Sequence, residues 1–95
     1  MNDDKDACSQ VSEHEIRVYE AVRTFGGWMT AREIAVKADV ANRTARHHTA
    51  RLADREIFDV ARVFGGFRYR IRTQLSPEAG SYAGRIEAAK RIFAG

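Results

Sequence analysis

Apolar residues recur along this chain with two different periods, and the change from one to the other divides it. From Ser12 to Phe25 the repeat is helical: Ile16, Tyr19, Val22 and Phe25 fall at three-residue steps, and Val18 widens the stripe. Ser12 followed by Glu15 predicts a capping box at the start, and Gly26-Gly27 ends the helix by permitting backbone angles other residues resist. Trp28-Met29 reads as a short extended link that packs inward. Thr30-x-x-Glu33 is a second capping box, opening a helix through about Ala38 with Ile34 and Ala35 toward the core and Arg32 and Lys37 in water. Asp39-Val40-Ala41 makes a turn, with Val40 filling the gap between helices. A third helix then runs from about Asn42 to Arg55. It turns Ala45, His48, Thr49 and Leu52 inward, and Asn42, Arg43, Arg46, His47, Ala50 and Arg51 outward.

After that helix the period drops to two. Phe58, Val60 and Arg62 alternate with Asp59, Ala61 and Val63, while Phe67, Tyr69 and Ile71 alternate with Arg68, Arg70 and Arg72. Gly65-Gly66 between the two runs predicts a tight hairpin turn. Phe25, Trp28, Phe58, Phe67 and Tyr69 are expected mostly in the core. Ser76-Pro77-Glu78 starts a last helix, with Ala79, Tyr82, Ala83, Ile86, Ala89 and Phe93 on one stripe. Gly80 and Gly84 weaken that helix, so it needs a partner surface.

Ninety-five residues allow one modest core and leave no room for a second, ligand-sensing domain. The expected organisation is a disordered acidic leader over 1–10, one folded unit over 11–75, and a C-terminal helix over 76–95 as a dimerisation element. The leader lacks the apolar stretch of a secretory signal, no run approaches a membrane span, and the lone Cys8 forms no internal disulfide, so a cytoplasmic protein is expected. No arrangement of Ser, His and Asp suggests catalysis, no glycine-rich loop precedes a helix, and His47-His48, about 100° apart on a helix, make a poor metal site. An enzyme, a cofactor and a metal are therefore not expected.

The net charge of +3 hides a sharper pattern. Residues 1–40 hold five Lys/Arg against eight Asp/Glu, whereas 41–72 hold eight Arg against three acids. Positive charge thus gathers on the third helix and the hairpin, where a polyanion would be met. Arginine forks onto phosphate and guanine edges, and asparagine pairs with adenine. Helix, turn, helix and basic hairpin is the layout of a DNA-reading module. Its contact residues are expected to be Thr30 and Arg32 on the backbone, Asn42, Arg43, Thr44, Arg46 and His47 on base edges, Arg51 on phosphate, and Arg62, Arg68 and Arg70 in the minor groove or along phosphates.

Three stretches, TAREIA at 30–35, RTARHHTARL at 43–52 and VARVFGGFRYRIR at 60–72, resemble winged helix-turn-helix transcriptional regulators, a likeness covering about residues 12–72. The resemblance implies a mainly α fold with a β-hairpin wing, of α+β class, in the order helix, short strand, two helices, two strands, helix. By it the recognition helix is 42–55 and the wing is 58–72. The family often has a small capping Ser where Ala41 stands, so capping passes to Asn42, and often Gly where Glu56 stands. The expected function is sequence-specific binding of double-stranded DNA by a dimeric repressor joined through the C-terminal helix. The alternatives are a DNA-bending or replication accessory protein of a mobile element, and a winged-helix module for an unidentified protein partner.

Overall fold

Four helices and one antiparallel hairpin make up residues 11–94, which the computed structural model describes. In chain order they are α1 (Glu13–Phe25), α2 (Ala31–Ala38), α3 (Asn42–Asp54), β1 (Phe58–Val63), β2 (Gly66–Ile71) and α4 (Pro77–Ala94), an α+β architecture in which helix predominates. The acidic leader, Cys8 and the side chain of Phe93 lie outside the described residues.

Side-chain caps fix most of the helix starts. At α2 the box is complete: Thr30 Oγ1 accepts from the Glu33 amide at 3.1 Å, and Glu33 Oε1 accepts from the Thr30 amide at 2.9 Å. At α1 only half of it forms. Ser12 Oγ accepts from the Glu15 amide at 3.1 Å, but the Glu15 carboxylate turns inward and accepts a hydrogen bond from the Tyr82 hydroxyl at 2.7 Å. Ser76 Oγ accepts from the Ala79 amide at 3.1 Å to start α4. The start of α3 departs from expectation. Ala41 holds the extended N-cap conformation without a side-chain bond, and Asn42 is already helical, so its amide stands on the wrong residue to cap.

The core gathers where the helices converge on the base of the hairpin. Val18 and Val22 of α1, Ile34 of α2, Ala45 and Leu52 of α3, then Ile57 and Phe58, are all buried. Helix α4 closes this core from outside, burying Ala79, Tyr82, Ala83 and Ile86, while Tyr19 Oη donates to Glu87 at 3.0 Å and Lys90 to Glu20 at 3.1 Å. Burial and the Glu87 carboxylate push the Tyr19 phenol up to about 12. From Ala79 to Ile86 the apolar stripe of α4 thus packs on its own chain, which supplies a partner surface for the stretch that Gly80 and Gly84 weaken.

Phe58 faces Ile71, Val60 faces Tyr69 and Arg62 faces Phe67 on one side of the hairpin; Asp59 faces Arg70 and Ala61 faces Arg68 on the other. The last pair is Val63 with Gly66, so the turn is Phe64-Gly65, one residue earlier than expected. Gly65 supplies the left-handed position at φ 92° and Gly66 opens β2. The expected strand between α1 and α2 shrinks to a single bridge, with Met29 and Tyr69 exchanging two backbone bonds of 2.8 Å.

Three of the five aromatic residues expected in the core lie outside it. Phe67 is 50% exposed because the hairpin runs past the helices that cover its base. Phe25, the last residue of α1 before Gly26 ends the helix at φ 79°, is 55% exposed. In the extended link Met29 is buried, and alternation sends Trp28 to the opposite side.

Glu56, where the resemblance would place glycine, adopts φ 63°. A non-glycine residue there costs about 1–2 kcal/mol, while glycine adds back about 0.4–1 kcal/mol of unfolded-chain entropy. The exposed Glu56–Arg72 pair at 3.6 Å contributes little. Glu56→Gly is therefore expected to raise the unfolding free energy by about 0.5 kcal/mol in urea titration, a small surplus of relieved strain over entropy. A clear loss of stability would show that the carboxylate does more than the backbone strain undoes.

Candidate nucleic-acid interface

Helix α3 has two dissimilar faces. Ala45, Thr49 and Leu52 are buried, and Thr49 settles its hydroxyl by donating to the Arg46 carbonyl at 3.1 Å. On the other side Asn42, Arg43, Arg46, His47 and Ala50 are exposed and Thr44 is half-buried. Arg32, Asn42 and Arg46 line one open cleft with Ala31, so the start of α3 and the first turn of α2 present their polar side chains together. The Thr30 amide is already held by Glu33, whose carboxylate also occupies the positive end of α2. Backbone capture of an anion there is pre-empted, and Arg32 remains as that helix's contribution.

Ion pairing sorts the arginines. Among the described residues Arg32, Arg43, Arg46, Arg62 and Arg68 make no salt bridge within 4.0 Å. Arg70 does: its guanidinium lies 3.2 Å from Asp59 and 4.4 Å from the Trp28 ring centre. Arg72 reaches the same Asp59 at 3.1 Å. Arg70, expected among the DNA contacts, thus also braces the hairpin against the Trp28 link, with part of its charge already answered.

The rear of α3 faces α4. Arg51 is half-buried beside the Tyr82 hydroxyl, and the Arg55 guanidinium sits 4.0 Å over the Tyr82 ring. Burial, then the Glu15 carboxylate, raises the Tyr82 phenol above its ordinary value. His48 stands nearby, half-buried. Burial first, then the positive charge of His47, Arg51 and His14, pushes it down to about 4. Its Nδ1 is buried with no hydrogen-bond partner among the described residues, so it is a neutral imidazole with one polar atom unanswered rather than a satisfied core histidine.

Comparison with protein-family models, with curated proteins and with solved structures gives no significant match. The geometry stands alone.

Within that geometry, two groups of the expected contact residues emerge. Arg32, Asn42, Arg43, Arg46 and His47 are exposed around the start of α3, with Thr44 half-buried among them. Arg62 and Arg68 project from opposite faces of the hairpin, Arg62 lying 5.9 Å from the Phe67 ring centre. Arg70 and the Thr30 amide are engaged within the chain, and Arg51 is half-buried. The tip residue Phe64 was not expected at all: it is 107% exposed, beside Trp28, Ala61, Val63 and Arg68 around an open depression. Its signal was present in the sequence, since a large apolar residue next to Gly65-Gly66 has no strand partner if the turn begins one residue early. Among the described residues no helix is long and apolar enough to cross a membrane.

Proposed function

We propose that this chain binds double-stranded DNA sequence-specifically, as a small transcriptional regulator of the winged helix-turn-helix kind. Helix α3 lies in the major groove and the hairpin follows the minor groove or backbone beside it. One observation carries the assignment: the exposed side of α3 offers Arg43 and Arg46 free of carboxylates, next to Asn42 and Arg32, while its opposite side is core. A guanidinium without a partner in its own chain keeps its fork for guanine or phosphate, and a helix so braced presents its leading residues to base edges. Repression follows from occupying promoter DNA. The dimer that would read half-sites about 34–36 Å apart forms on what α4 leaves outside, the exposed Ile92 among it, since Ala79, Tyr82, Ala83 and Ile86 are covered.

Salt titration tests the proposal. Binding to a mixed-sequence duplex, followed by fluorescence anisotropy, should weaken with salt at a log–log slope of about −4.5 to −7, for about five to eight phosphates neutralised by a dimer. A slope shallower than about −2 removes the electrostatic footprint on which the proposal stands.

A second reading has one observation behind it. Phe25, Met29 and Val36 line a groove rimmed by Arg32, Lys37 and Glu33, an apolar surface with a basic edge suited to a protein partner. Under that reading Arg43→Ala and Arg46→Ala spare partner capture.

A further inference from the structure

We propose that Phe64 is an intercalating wedge, which enters the minor groove beside the α3 contact and opens a base step, kinking the duplex. This rests on the DNA-binding proposal above and assigns the hairpin a mechanical role within it.

Four features of the hairpin converge on that role. Register places Phe64 in the two-residue turn, so the most prominent point of the hairpin is an aromatic ring wholly outside the protein surface. Gly65 and Gly66 beside it have open space where a side chain would be, leaving a slim tip whose only bulk is that ring. A minor groove about 6 Å wide admits such a tip, and apolar side chains inserted between base pairs unstack and kink a duplex. Arg62 and Arg68 stand on opposite faces of the same hairpin without a carboxylate among the described residues, placed to meet a phosphate on either side of the groove.

The base of the hairpin is meanwhile held stiff. Arg70 and Arg72 share Asp59, Arg70 lies over Trp28, and Met29 adds a bridge to Tyr69. A wedge works only if its mount resists the push, and these contacts tie the hairpin to the helical body. Pyrimidine–purine steps, which unstack most readily, are the steps such a wedge takes. An exposed apolar tip also suits a pocket on a protein, but the two uncompensated arginines at its flanks favour a polyanion.

The experiment uses the full chain and a mixed-sequence duplex of about 30 base pairs with a central TA step, dye-labelled at both ends. Anisotropy reports binding; energy transfer between the ends reports bending; 2-aminopurine at the step reports unstacking. On saturation with wild-type protein, energy transfer should rise and the 2-aminopurine should brighten. Phe64→Ala should bind within about tenfold of wild type, since the cost of unstacking disappears with the contacts it made possible, yet produce neither signal. Phe64→Leu, still an apolar wedge, should retain both. Phe64 touches no core residue, so the melting curves of both variants should overlay the wild type. Wild-type binding without bending, or bending that survives Phe64→Ala, overturns the wedge and leaves DNA binding standing. Failure of the wild-type chain to bind any duplex sinks both.

Discussion

Arg43→Ala combined with Arg46→Ala should abolish specific duplex binding while leaving the fold untouched. Both side chains are exposed on α3, both are free of ion pairs among the described residues, and neither caps a helix or fills the core. Each forked contact to a base contributes about 1–3 kcal/mol of discrimination, so losing two costs about 2–6 kcal/mol, a factor of about 30 or more. The measurement is anisotropy with a duplex recovered from a random pool, set beside thermal denaturation of the same variant. Arg→Lys at both positions separates charge from geometry: the ammonium still answers phosphate but cannot fork, so non-specific affinity should persist while the preference for the selected duplex collapses. Arg70→Ala should do less to affinity, because that guanidinium already answers Asp59 and Trp28; its effect belongs to hairpin rigidity. A double alanine variant that still prefers the selected duplex within threefold of wild type, roughly 0.6 kcal/mol, would place the base-reading surface away from α3.

That α3 has one dry and one wet face was legible from residue spacing alone, because helical periodicity and burial are the same pattern seen twice. The capping box at Thr30 and Glu33 was legible for a similar reason: its two hydrogen bonds span three residues and depend on nothing distant. What stayed hidden depends on how far a surface reaches or on which residues meet across it. Period two assigned the faces of the hairpin correctly but not the depth at which the core ends, so Phe67 looked as buried as Phe58. Moving the turn by one residue, to Phe64-Gly65, preserves both faces and shifts every cross-strand partner by two. Asp59 therefore opposes Arg70, where the expected turn would have set it against Arg72. That small slip decided which arginines are free and which residue stands at the tip. Glu15 is the third case. Its place after Ser12 signalled a cap, yet Tyr82, 67 residues away, takes its carboxylate into the core.

Phe58→Ala should bring the domain close to unfolding, whereas Phe67→Ala should hardly disturb it, although both rings lie on one face of the same hairpin. Phe58 is 2% exposed, next to the buried Ile57 and across from Ile71, where the chain leaves α3 and enters the hairpin. Removing such a ring costs about 3–5 kcal/mol, counting the lost transfer energy and the cavity that rigid neighbours cannot close. A domain of this length has a total stability of about 5–14 kcal/mol. The loss should lower the melting temperature by about 12–40 °C, at about 4–8 °C per kcal/mol. Phe67 is half in water already, and its deletion removes little beyond a 5.9 Å approach of Arg62 to the ring, a contact of about 0.5–1 kcal/mol at an exposed site. Urea denaturation of the two variants gives the comparison directly. Equal losses at the two positions would mean that the helices cover the hairpin along its whole length. The tip would then be neither free nor slim, and the wedge would have no way into a groove.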